Sequence, residues 1–213
     1  MRKVVNTPPL RLPCFFTRKN STTLEIVQQK NYTYCIILYL YTHLIMHIKL
    51  VRSTDNNFVD ARIISAKGIR LPSLTDGWRF NFRKHSQKPG YQAYVVVCDT
   101  SPDIIEGCVI FQMKGATEPY MAYIELAPHN KGESRQYDHV AGCLIAFSCR
   151  LSFIHGKGHF KGWLAFDVME EDKADEIKLM SVYSQKYGAL KWGSTTMVIS
   201  PEAGEKLINK YLI

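Results

Sequence analysis

Residues 120–153 read YMAYIELAPHNKGESRQYDHVAGCLIAFSCRLSF, passing from an apolar strand through a polar loop into a helix. Alternation over 120–127 places Tyr123, Glu125 and Ala127 on one strand face and Ala122, Ile124 and Leu126 on the other. Pro128 ends the strand, and residues 129–136 are polar around Gly132. Residues 140–153 then set Val140, Leu144, Phe147 and Leu151 on one helical face. A strand that feeds a helix N-terminus through such a loop offers an anion free backbone N–H groups and the positive end of the helix dipole. Gln136, Tyr137, His139, Val140, Ala141 and Gly142 stand at that point. The small side chains at 141 and 142 let a ligand approach the backbone, and they equally suit helix packing.

Upstream, residues 91–99, 105–114 and 120–127 are β-branched and aromatic. Turns at Pro102-Asp103 and Glu118-Pro119 join them as an antiparallel meander. Residues 47–51 read as a short strand. Residues 55–67 read as a helix, with Phe58, Val59, Ile63 and Ile64 at helical spacing, Ser53 or Thr54 as cap and Gly68 as stop. In residues 71–88, Trp78, Phe80 and Phe82 alternate with Arg79, Asn81 and Arg83, which predicts an extended edge or a half-buried loop.

Downstream, residues 160–168 are an apolar strand. Residues 175–187 form a helix with Ile177, Met180, Tyr183 and Tyr187 near one stripe, stopped by Gly188. Residues 195–200 are a strand. Residues 201–212 are a last helix, capped by Ser200 with Pro201 at its first position. A meander that runs into strand–helix–strand units predicts an α+β fold with a mixed sheet.

With 213 residues, 46% hydrophobic and 22% charged, the chain can bury a core, which excludes wholesale disorder. The net charge of +8 is uneven: residues 1–45 carry +5 of it, leaving a mildly basic body. Cysteines at 14, 35, 98, 108, 143 and 149 form no CxxC pair, so buried free thiols in a reducing, cytoplasmic setting are expected rather than a disulfide or zinc framework. His129 and His139 have no third ligand in view, and no metal is expected. The apolar block 34–46 is too short to span a bilayer. Residues 1–45 are read as an extension preceding a domain at 46–213, against the rival reading of a membrane-surface or partner-binding arm.

The segment ending in Ile124-Glu125-Leu126-Ala127-Pro128, the loop and helix after it, the strand at 160–168 and the helix ending in Tyr187-Gly188-Ala189 stand in the order of the GNAT superfamily of acyl-CoA-dependent N-acetyltransferases, which the chain resembles over about 47–213. Gln136-x-x-His139-x-Ala141 is similar to the first and last positions of the family's pyrophosphate motif, Gln/Arg-x-x-Gly-x-Gly/Ala. His139 departs from it, and two readings stand open: the ring points away or assists phosphate, or it narrows the site.

The resemblance implies a GNAT-like, mostly antiparallel central sheet flanked by helices. The family's fourth and fifth strands, here 120–127 and 160–168, would splay around the pantetheine arm of acetyl-CoA. N–H groups at Leu126 and Ala127 would pair with that arm, and Gln136, Tyr137, His139, Val140, Ala141 and Gly142 would hold the pyrophosphate. Acetyl would pass to a primary amine, with Tyr183 as acid and Glu125 as base. A salt-bridged structural Glu125 with a water chain as base, and a core tyrosine at 183, are the alternatives. Trp78, Phe80 and Phe82 would wall the acceptor site or merely cover the sheet. A homodimer, no nucleic-acid partner and no stable membrane insertion are also expected.

Two rivals remain. One is an inactive GNAT-like interaction module. The other is a nucleic-acid or membrane-surface binder acting through the basic arm, for which deleting 1–45 abolishes function and binding falls steeply with salt. The acceptor stays open.

Overall fold

The computed structural model describes residues 45–212. The apolar block and basic arm proposed for residues 1–45 lie outside the described residues, except for Ile45 and Met46. These two open strand β1 (Ile45–Arg52).

β1 turns back at once into β2 (Phe58–Ser65), where a helix is expected over 55–67. The reason is local. Asn56 adopts a left-handed φ of 57°, and the Asp55 carboxylate accepts the Asn57 N–H at 3.0 Å, closing a hairpin turn. Beyond that turn, Val59, Ala61 and Ile63 are buried at a period of two, and β2 pairs with neighbours on both sides. The helical spacing of Phe58 and Ile64 is incidental: Phe58 is 67% exposed.

Residues 71–88 fold across the sheet as a 3-10 turn at Leu74–Asp76 and a single-turn helix α1 (Phe82–His85). The extended edge is thus replaced by packing, because Trp78 and Phe82 are core side chains meeting edge to face at 5.6 Å.

The meander follows as expected: β3 (Gln92–Cys98), β4 (Ser101–Lys114) and β5 (Glu118–Leu126). A two-residue strand β6 (Tyr137–Asp138) leads into helix α2 (Val140–His155). Then come β7 (Leu164–Asp167), helix α3 (Lys173–Tyr187), β8 (Leu190–Lys191), β9 (Thr196–Ile199) and helix α4 (Pro201–Tyr211). The sheet order is β6-β1-β2-β3-β4-β5-β7-β9-β8, antiparallel except for β5 against β7. The fold is α+β with a mixed, mostly antiparallel sheet.

Two apolar clusters cover the two faces of the sheet. One gathers β1 to β9 residues under α2, α3 and α4; the other holds Trp78 and Phe82 over Val95, Val97, Cys108 and Ile110. Helix α2 is buried on more than its expected face, since Cys143, Ile145, Ala146 and Cys149 are covered as well as Leu144 and Phe147. On α3 the stripe begins at Met180; Ile177 is 56% exposed. The cysteines at 98, 108, 143 and 149 are free and buried.

Candidate functional site

β5 and β7 touch through one bridge, Tyr120 to Ala165, and then part. The cause lies in β5. Its register with β4 slips between Ile110↔Tyr123 and Phe111↔Met121, leaving Ala122 as a bulge immediately after the bridge. A bulge bends its strand and sharpens the twist, so β5 swings away from β7.

The gap is a cleft of about 320 Å³. Met121 to Glu125, Phe166 to Glu170, Tyr183 of α3 and the Arg79-Phe80 turn form its walls. The ladders on either side decide which backbone groups face it. Ala127 donates its N–H to Glu106 O at 3.0 Å, and in an antiparallel ladder bonded and unbonded pairs alternate. Tyr123 and Glu125 therefore turn their amides to β4, and Ile124 and Leu126 turn theirs to the cleft. By the same alternation from Val168 N–H to Thr195 O at 2.9 Å, Asp167 presents its amide to the cleft from the other side. The free donors expected at Leu126 and Ala127 are thus at Ile124 and Leu126; Ala127 is engaged within the sheet.

Glu125 and Tyr183 line this one cleft. Glu125 is 7% exposed, and its carboxylate is saturated: it accepts Arg79 N–H at 2.7 Å, Phe80 N–H at 3.0 Å and the Lys131 ammonium at 2.5 Å. Tyr183 packs its ring 4.8 Å from that of Phe166. Burial, reinforced by the Glu170 charge, pushes its phenol up to about 12, so it keeps its proton at neutral pH.

At the start of α2, His139 sits at φ 74°, a left-handed conformation natural to glycine. Its ring meets Tyr211 edge-on at 5.4 Å, and burial lowers its pKa. It provides no side-chain cap, so the amides of the first turn are not claimed by a capping group.

The chain is similar to solved N-acetyltransferases. It matches mutant forms of the spermidine/spermine N-acetyltransferase SpeG from Vibrio cholerae at 17% identity, covering 61% of this chain and 73% of that one, with a TM-score of 0.41. It matches the Campylobacter jejuni N-acetyltransferase PseH in complex with acetyl coenzyme A at 13% identity, covering 66% and 98%, with a TM-score of 0.39. A chain of the KacTA–DNA complex matches at 17% identity, covering 60% and 78%, with a TM-score of 0.41. No family model and no curated protein matches the sequence.

Other positions at the loop have packing duties. A Cβ on Gly142 would stand 2.4 Å from the Tyr211 ring, so this glycine makes room for α4 rather than for a ligand. Val140 is 1% exposed and packs its side chain on Gly107 of β4, leaving only its amide for the site. The Tyr137 N–H is bonded to Asn130 Oδ1 at 3.0 Å, and the Gln136 N–H to His129 O at 3.0 Å. Buried Glu106 accepts from Asn130 Nδ2 at 2.7 Å, so this loop hangs from β4. Ala141 is half-buried beside them.

One pairing across the cleft escapes sequence reasoning. Arg79 reaches across to Glu170 at 2.7 Å and donates to Met169 O at 3.3 Å, spanning the cleft. The acidic run 170–172 is tied into the fold at its other end too, where Asp172 caps α3 by accepting Ala174 N–H at 2.6 Å. Of the three aromatics expected around an acceptor, only Phe80 reaches the cleft. Among the described residues, no group of three metal-ligating side chains converges.

Proposed function

We propose that the chain is an N-acetyltransferase that passes acetyl from acetyl-CoA to a primary amine in a ternary complex, within a domain spanning 46–213. The observation that carries the reading is the β5–β7 junction, one bridge wide, which opens into a cleft with unpaired strand amides on its walls and Tyr183 beside them. The residues present fit an acyl-CoA. Ile124, Leu126 and Asp167 would pair with amides of its arm, and the first-turn N–H groups of α2, at Val140, Ala141 and Gly142, would face its phosphates. Gln136 and His139 flank that turn.

Acetyl-CoA, when bound, supplies an activated thioester. Tyr183 holds a proton for the departing thiolate, which its raised pKa favours at neutral pH. Glu125 is assigned a positioning role: three donors hold its carboxylate, and through it the Arg79-Phe80 turn is locked against β5. The acceptor's proton then leaves through water in the cleft.

Calorimetric titration of acetyl-CoA into the full chain tests this. Saturable micromolar binding that survives Tyr183→Phe, with acetyl transfer to a polyamine or peptide amine reduced in that variant, is the expected result. A folded chain with no acetyl-CoA binding would sink the proposal.

A further inference from the structure

Along β7 and β9, Leu164, Phe166, Met197 and Ile199 turn to the α2 side of the sheet, and Ala165 and Val198 to the other. Tyr120, Ala165 and Val198 form a small apolar cluster on that other side, separate from the two main ones. Above it, Phe160, Trp163, Trp192 and His159 surround a pocket of about 220 Å³, with Glu118 on its rim. Phe160 is 44% and Trp192 78% exposed. This pocket is distinct from the cleft, whose walls share none of these residues.

Its aromatic faces are unspent. Among the described residues, the rings of Phe160, Trp163 and Trp192 pair with no other ring and lie under no Lys or Arg. Glu118, likewise, takes part in no ion pair among them. The same strand shows what such a set attracts. Lys114 stands opposite Glu118 in the β4–β5 register, yet sets its ammonium 3.2 Å from the centre of the Tyr120 ring. That ring's hydroxyl in turn donates to the Asp167 carboxylate at 2.6 Å. Ring face plus carboxylate therefore already holds one cation here, and the pocket repeats the combination with several rings and no cation of its own.

We infer that the Phe160–Trp163–Trp192 pocket binds an alkylated ammonium group, free or on a side chain, with Glu118 as counter-charge. Ring quadrupoles attract a diffuse cation, and an alkylated ammonium loses little hydration on entering. The volume suits one such headgroup, and a carboxylate at the rim selects cation over neutral guest.

Titrating choline into the full chain, followed by tryptophan fluorescence, tests the inference. Its neutral carbon isostere, 3,3-dimethyl-1-butanol, and a trimethyl-lysine peptide serve as parallel probes. Choline or the peptide should give a saturable change, and whichever binds tells the free headgroup from the side chain. The isostere should bind about tenfold more weakly. Trp192→Ala should abolish the change, and Glu118→Gln should weaken it several-fold. Trp192→Phe, which keeps a ring, should retain binding and guards against a folding defect. Equal binding of the isostere, no saturation by either cation up to about 10 mM, or an unaltered response in Trp192→Ala would overturn it.

Discussion

Glu125 is read in the sequence as a base or as a salt-bridged structural residue, and the fold gives its carboxylate the hydrogen bonds of a strut. A carboxylate in an apolar strand needs a partner, and here it has three donors from two loops. Removing it leaves the buried-side amides of Arg79 and Phe80 without acceptors. Glu125→Ala should therefore cost about 3 kcal/mol in urea unfolding. If Glu125 only positions the turn, Glu125→Gln should keep the acid limb of the pH–rate profile; loss of that limb would make it the base. Tyr183 makes the opposite prediction. Its phenol titrates near 12, so activity should show no alkaline fall attributable to it below about pH 11, while Tyr183→Phe lowers kcat more than it raises KM. Gly107 belongs at this scale too. A Cβ there would stand 2.8 Å from Val140 Cγ1 and 3.0 Å from Leu144 Cδ1, so Gly107→Ala should destabilise by about 1–3 kcal/mol, read as a lower denaturation midpoint at unchanged m-value.

At the scale of elements, two short irregularities shape the site. The Ala122 bulge parts β5 from β7, and the left-handed His139 turns the chain from β6 into α2. Glycine takes that conformation without strain, whereas the histidine offsets its strain by packing against Tyr211. His139→Ala keeps the strain and loses the ring contact. It should be less stable than His139→Gly by about 1 kcal/mol, which thermal denaturation of the two variants compares directly. Equal stabilities would mean that the turn relaxes out of the left-handed region. The β1–β2 hairpin carries a related lesson: Asp55-Asn56-Asn57 is a turn signal between two alternating runs, and it outweighs the chance helical spacing of Phe58 and Ile63.

For the whole molecule, the buried acids of the core set the response to alkali. Burial raises the thiols of Cys143 and Cys149 from 9.0 to about 12, and Tyr183 from 10.0 to about 12. The unfolded chain releases these protons first, so the native state binds more of them between pH 9 and 12, and stability must fall as pH rises through that window. Urea midpoints should be level from pH 7 to about 8.5 and decline above it. Cys149→Ala, which removes one such proton, should flatten the decline at some cost in packing; an identical slope would locate the titration elsewhere.

The meander, α2, α3, α4 and their order were legible from residue spacing, because each buries an apolar face of a definite period, with glycine stops after α2 and α3 and Pro201 opening α4. The meeting of Glu125 and Tyr183 in one cleft was implied by the resemblance to the GNAT superfamily and not by residue spacing. What the tertiary structure alone decided depends on partners distant in sequence. Glu125 is saturated by Arg79, Phe80 and Lys131; Gly142 is small for the sake of Tyr211; Arg79 and Glu170 meet across the cleft. The Asp55–Asn57 turn starts β2 locally, and the ladders to β1 and β3 on its two edges then hold it as a strand. A local pattern states what a segment is able to bury, while the neighbours brought alongside by folding determine which of its groups stay free to act.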